Sequence, residues 1–240
     1  MKHIPNLLTL LNAGCGVVAI YFIFIQSNMG VAACLILASI ADLLDGMLAR
    51  KLGVDGSLGT QLDSLADAIS FGVVPAFLWS SILTDYGTIE QPWGVVLGAG
   101  IAVSSIYRLA KFNLISDEKV DFTGVPTPAN ALFVFGLWMW LGDWEQWNWI
   151  IQRSIDERAA LTLFFISILA LNIYWINSSI HFLSFKDNGE KLRRKAQLIV
   201  VLIFIVLVIF VKALALTLTV LAIPVVSKLV QIVSTRKNSL

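Results

Sequence analysis

A chain of 240 residues that is 58% apolar and only 14% charged, with a mean hydropathy of +0.81, has a composition suited to lipid rather than water, which excludes a soluble globular domain. Its 17 Lys and Arg against 16 Asp and Glu leave a net charge of +1, too even a balance for a protein that binds nucleic acid through a basic surface. Cys15 and Cys34 lie in apolar stretches without CxxC or Cys/His spacing, so neither a disulfide framework nor a zinc site is implied.

A membrane-spanning helix needs about 20 mostly apolar residues. Eight such runs succeed one another, at 7–26, 31–49, 62–83, 92–112, 128–147, 159–182, 196–211 and 213–233. Lys2 ahead of the first run superficially resembles a signal peptide, but no small-residue cleavage site leads into a polar region, so the run is expected to be retained as a membrane helix. Pro126 and Pro128 suit the start of the fifth run, where a missing N–H costs little. The last two runs are separated only by Lys212 and are together too long for one ordinary span, so a tight turn is expected there. With no long linker, low-complexity tract or internal repeat, the fold class is an all-α polytopic membrane protein, a bundle of eight helices forming one domain over residues 1–240.

Cytoplasmic loops retain Lys and Arg, while acidic residues contribute little to that bias. With both termini placed inside, 14 basic residues fall on or near the cytoplasmic side, Arg50, Lys51, Arg108, Lys111 and Lys191 among them. Only Arg153, Arg158 and Lys212 remain outside. Trp79, Trp93, Trp144, Trp147 and Trp149 gather near the expected outer boundary, as interfacial anchors would. The basic run 191–195 reads as a topology signal that also suits anionic head groups. Gly94, Gly98, Ala99 and Ala102 suit close helix packing, either within the chain or between the protomers of a homodimer.

The informative stretch is ADLLDGMLARKLGVDGSLGTQLDSLADAIS at 41–70. It sets Asp42, Asp45, Asp63 and Asp67 at or inside the ends of two apolar helices. A central Asp costs roughly 2.5 to 3.5 kcal/mol on insertion scales, so four cost on the order of 10 kcal/mol if lipid-facing and unpaired. At 3.6 residues per turn Asp42 and Asp45 lie about 60° apart, and Asp63 and Asp67 about 40° apart, so each pair shares a face. If the faces meet, four carboxylates converge and require a counter-cation. Hard oxygen ligands of this kind suit Mg²⁺ or Mn²⁺, with two ions able to clamp a phosphate. Gly46, Gly53, Gly56 and Gly59 allow close approach of a bulky ligand to the backbone, and Arg50 supplies a planar fork for phosphate oxygens.

Asp42, Asp45-Gly46, Ala49-Arg50, Gly59, Asp63 and Asp67 reproduce the spacing D-x2-D-G-x2-A-R-x8-G-x3-D-x3-D, and on these residues the chain resembles the CDP-alcohol phosphatidyltransferases. The resemblance implies an integral membrane enzyme that displaces CMP from a CDP-linked lipid with an alcohol, using divalent metal at the cytoplasmic surface. It further implies that Asp42, Asp45 and Asp63 are metal ligands and that Asp67 is a general base that also contacts metal. Gly46, Arg50 and Gly59 then resemble nucleotide and diphosphate contacts. Such chemistry needs charge neutralisation on the diphosphate and removal of the alcohol's proton, both within reach of these residues.

Three further segments, PNLLTLLN at 5–12, YRLAKFN at 107–113 and FTGVPTPA at 122–129, resemble the membrane-type phosphatidylserine synthases. This implies CDP-diacylglycerol as donor, L-serine as acceptor, and an enzyme of phospholipid biosynthesis in a bacterial or archaeal cytoplasmic membrane. Arg108 and Lys111 could pair the serine carboxylate, with a positive-inside topology role as the alternative for both and above all for Lys111, and Asn6 and Thr9 could contact the cytidine or phosphate. A helix-start role is the alternative for Thr9. Two other readings stay open: the same chemistry with glycerol 3-phosphate or inositol phosphate as acceptor, and a carboxylate-lined divalent-metal transporter. The scarcity of extra basic residues near the site favours an unphosphorylated acceptor.

Overall fold

A computed structural model describes residues 3–54, 56–114, 124–142, 155–180 and 191–238. Among these the regular structure is entirely helical. The helices are α1 (Ile4–Phe24), α2 (Asn28–Leu52), α3 (Ser57–Asp67), α4 (Val74–Asp85), α5 (Gln91–Leu114), α6 (Thr127–Leu141), α7 (Ile155–Ile176), α8 (Lys191–Val211) and α9 (Leu214–Asn238). A π-helical turn, Ala68–Val73, joins α3 to α4, making Ser57–Asp85 one continuous span. Each of the eight apolar runs thus overlaps a helical segment. Among the described residues five segments are long and apolar enough to cross a membrane: α1, α2, Ser57–Asp85, α5 and α7. The chain is an integral membrane protein built of helices.

Local chemistry explains the helix ends. Pro5 occupies the first turn of α1 and Pro128 that of α6. The Ser27 hydroxyl accepts from the Gly30 N–H at the start of α2, satisfying a donor the helix itself cannot. Gly53 closes α2 at φ 60°, a left-handed cap that suits a residue without Cβ, with Arg50 and Lys51 in the last turn beside the negative end of the helix dipole. The expected turn between the last two helices falls at Lys212, which has φ 47°.

Packing obeys the logic of lipid as solvent. Along α1 the buried residues are Pro5, Thr9, Asn12, Gly16, Ala19 and Ile23, spaced alternately by four and three, while Leu7, Leu10, Leu11, Val17, Tyr21 and Phe24 are exposed. Polar and small residues inside with apolar residues outside is the reverse of a soluble bundle, and it suits helices whose surroundings are hydrocarbon.

The chain divides into two compact units. In the first, residues 1–116 and 149–173, α1 lies along α2 and against α3 and the π turn, while α4 lies along α5. Gly94 and Gly98 serve that last contact: a Cβ at Gly98 would strike the Ala76 carbonyl oxygen, and one at Gly94 would come within 2.7 Å of Thr84 Cγ2. These two members of the small-residue stripe are therefore consumed within the chain. In the second unit, residues 117–148 and 174–240, α9 packs on α6 and α8, and the Thr217 hydroxyl donates to the Phe133 carbonyl at 2.8 Å.

Trp79 does not take the interfacial-anchor role expected of it. It is fully buried, and its indole N–H donates to Asn172 Oδ1 at 3.3 Å. Position along the span suggested an anchor, but the side of the helix facing α7 decides burial, and the indole finds its polar partner there. Trp93 is exposed, as an anchor requires. Trp144, Trp147, Trp149, Lys2, Lys119, Arg153 and Lys186 lie outside the described residues.

Candidate active site

The site lies in the first unit, where α2, α3 and the start of α1 converge. The α2 stripe that buries Val31, Cys34, Leu35, Ala38 and Ala41 ends on Asp45, so the apolar periodicity that packs the helix also carries a carboxylate inward. On α3, Asp63 and Asp67 share a face, and that face meets Asp42: carboxylate oxygens of Asp42, Asp63 and Asp67 all lie within 4.8 Å of one another. Asp42 and Asp63 are within hydrogen-bonding reach of each other. Two ligands on opposite sides of one Mg²⁺, each roughly 2.1 Å from it, stand about 4.2 Å apart. Small side-chain rotations would thus bring all three around one ion. Three hard oxygen donors fit a divalent cation by both chemistry and spacing, and like charges this close require one.

Asp45 sits apart from that trio. It is only 4% exposed, and the Thr9 hydroxyl, which also lies 3.1 Å from the Pro5 carbonyl, hydrogen bonds to its Oδ2. Thr9 is well inside α1, whose N-cap position is held by His3, so the structure places its side chain on Asp45 rather than at the helix start. Arg50, exposed at the end of α2, folds back along the helix over Gly46: a Cβ there would stand 3.4 Å from Arg50 Nη1. Its charge acts on Asp45. Asn6 meets Gly59 across α1 and α3, its Oδ1 lying 3.7 Å from where a Gly59 Cβ would be.

The two basic residues of α5 part company. Arg108 is half-buried, acts electrostatically on Asp67, and encloses an Nε that has no hydrogen-bond partner. Lys111 is exposed in the last turn. Asn113, two residues further, donates its amide to Ser64 Oγ at 2.8 Å and so ties the end of α5 to α3. This contact gives the 107–113 segment a structural role besides Arg108.

Asn12 and Ser70 join the site although the sequence motif does not single them out. Asn12 Nδ2 donates to Asp67 Oδ1 at 3.4 Å, and Ser70 Oγ donates to the Asn12 carbonyl at 2.8 Å. The signal in the sequence is that Asn12 closes the PNLLTLLN segment, three residues after Thr9 on the same face of a mostly apolar helix. The π turn begins immediately after Asp67. Winding about one extra residue into the helix, it rotates α4 relative to the Asp63–Asp67 face, leaving those carboxylates towards α1 and α2 while Phe71, Val74, Leu78 and Trp79 enter the core.

Comparison with known proteins shows the family of the chain. Residues 2–176 match the family described as CDP-alcohol phosphatidyltransferase. The chain belongs to that family. The match takes in the four aspartates, Arg50, Gly59 and Arg108. Among curated relatives, a CDP-diacylglycerol–serine O-phosphatidyltransferase of Mycobacterium leprae is 33% identical over 173 residues, 65% of this chain and 56% of the relative. An archaetidylserine synthase of Methanothermobacter thermautotrophicus is 36% identical over 138 residues, 57% of this chain and 58% of the relative. A CDP-diacylglycerol–serine O-phosphatidyltransferase of Bacillus subtilis is 31% identical over 129 residues, 53% of this chain and 71% of the relative. The chain thus spans little more than half the length of the first two. In all three the match covers part of the relative rather than its whole length.

Proposed function

We propose that this CDP-alcohol phosphatidyltransferase transfers the phosphatidyl group of CDP-diacylglycerol to L-serine, giving phosphatidylserine and CMP. The observation that carries the reading is the convergence of Asp42, Asp63 and Asp67 within 4.8 Å near the ends of membrane-spanning helices, where a lipid-anchored diphosphate and a water-soluble alcohol can meet. Serine as acceptor is supported by the names of the relatives and by a half-buried cation, Arg108, beside Asp67.

In this reading Asp42, Asp45, Asp63 and Asp67 hold two Mg²⁺ or Mn²⁺ ions. When bound, the ions neutralise charge on the diphosphate and on the departing CMP. Arg50, laid over Gly46, binds diphosphate oxygens from the solvent side, and Asn6 with Gly59 and Thr9 frames the nucleotide. Thr9 also holds Asp45 in place. The serine oxygen bonds to the phosphatidyl phosphorus as the bond to the bridging diphosphate oxygen breaks, and that electron pair leaves with CMP. Asp67 takes the hydroxyl proton. Arg108 pairs the serine carboxylate, with Lys111 at the rim. Transfer is direct, both substrates being bound together. The 14-to-three distribution of basic residues supports a site open to the cytoplasm, in the cytoplasmic membrane of a bacterium or archaeon.

The test is CMP release from CDP-diacylglycerol by the purified protein in detergent, with and without divalent metal, offering serine, glycerol 3-phosphate or inositol phosphate. Serine-dependent release with phosphatidylserine formed is the expected result. Transfer to glycerol 3-phosphate with none to serine would overturn the acceptor. Metal uptake into sealed vesicles without CMP release under any condition would favour transport instead.

A further inference from the structure

We infer that Asn12 is the positioning residue of Asp67, a two-point clamp that fixes the carboxylate through its side chain while its own backbone is pinned to the π turn. The inference rests on the proposed function, in which Asp67 takes the proton of the acceptor. Asn12 is fully buried in a mostly apolar helix. A polar amide there is costly unless its interactions compensate. Its Nδ2 reaches Asp67 Oδ1 at 3.4 Å, and Ser70 Oγ reaches its carbonyl at 2.8 Å. Both partners belong to one segment, Asp67 at the end of α3 and Ser70 three residues on in the π turn.

Close backbone contact makes the clamp stiff. One turn beyond Asn12, a Cβ at Gly16 would come within 2.5 Å of Ser70 Oγ and 2.9 Å of Ser70 Cα, so α1 and the π turn touch without an intervening side chain. A change in the azimuth of the π turn would break the Ser70 bond and the amide contact together. Asn12 Oδ1 has no hydrogen-bond partner. The amide is therefore oriented by what its nitrogen does, and that is donation to Asp67.

A positioning residue acts through its partner, so a double-mutant cycle isolates it. Wild type, Asn12→Leu, Asp67→Asn and the double variant are compared for CMP release and for Mn²⁺ affinity by electron paramagnetic resonance. Leucine keeps the branched shape of asparagine without the donor. Asn12→Leu should lower kcat by about 10- to 150-fold, the range for losing a hydrogen bond to a charged group, while the KM for CDP-diacylglycerol changes less than about threefold. In the Asp67→Asn background the same substitution should change kcat and Mn²⁺ affinity by less than about twofold. Asn12→Gln, which retains a donor, should recover part of the loss, and Asn12→Ala replaces the leucine variant should the latter fail to fold. An equal factor in both backgrounds, or an unchanged kcat in the single variant, overturns the clamp. A wrong acceptor shows differently, as CMP release that is independent of serine in the wild type, and full turnover in Asp67→Asn removes the base assignment itself.

Discussion

Replacing Arg108 by lysine tests acceptor recognition most directly. The guanidinium stands half-buried beside Asp67 with its Nε enclosed and unpartnered. A carboxylate arriving there gains two parallel N–H bonds from Arg108, whereas lysine keeps the charge and offers a single rotating ammonium. Losing one charge-assisted bond costs about 1.5 to 3 kcal/mol, which at 1.4 kcal/mol per tenfold is roughly 10- to 150-fold in serine affinity. Steady-state CMP release at saturating metal, with serine and CDP-diacylglycerol varied in turn, should show Arg108→Lys raising the serine KM by that factor and the lipid KM by less than about threefold. Serinol retains the hydroxyl and amine of serine but lacks the carboxylate. The wild type should prefer serine over it strongly, and Arg108→Lys should discriminate less. Equal use of serine and serinol by the wild type, or equal rises in both KM values in the variant, would refute recognition through Arg108.

Asp67→Asn should fold and bind CDP-diacylglycerol while losing at least about 10²-fold in turnover, the usual minimum for a general base; near-normal turnover would remove Asp67 from that role. Asp42→Ala and Asp63→Ala should each shift the Mn²⁺ titration of CMP release to higher concentration, and an unchanged midpoint would argue against ligation by that residue. Gly98→Val drives side-chain atoms into the Ala76 backbone and should destabilise the protein by about 1 to 3 kcal/mol, read as a lower Tm in detergent; an unchanged Tm would mean that α4 and α5 do not depend on that close approach. Ser57→Cys and Thr88→Cys, each introduced with Cys15→Ala and Cys34→Ala, place thiols at exposed positions on either side of the Ser57–Asp85 span. An impermeant maleimide should label them from opposite faces of sealed vesicles. Labelling of both from one face would overturn the topology.

Helical periodicity and apolar run length are local properties, and the features that depend on them are legible in the chain itself. The eight apolar segments, the turn at Lys212, the proline starts of α1 and α6, and the same-face pairing of Asp42 with Asp45 and Asp63 with Asp67 all derive from residues a few positions apart. The signature motif is legible for the same reason, since both of its helices lie within 26 residues joined by a short connection. The packing of the helices decided the rest. Asp45, outside the 4.8 Å carboxylate trio, is met by Thr9, 36 residues earlier, and Asn12 reaches Asp67 across 55 residues. Trp79, expected as an interfacial anchor, is buried and donates to Asn172, 93 residues away. The π turn after Asp67 has no counterpart in the hydrophobic pattern, yet it sets which way the next helix faces. In an apolar chain nearly every face of a helix reads alike, so the face that meets another helix is chosen by small residues and buried polar pairs distant in sequence, and these become partners only once the helices have packed.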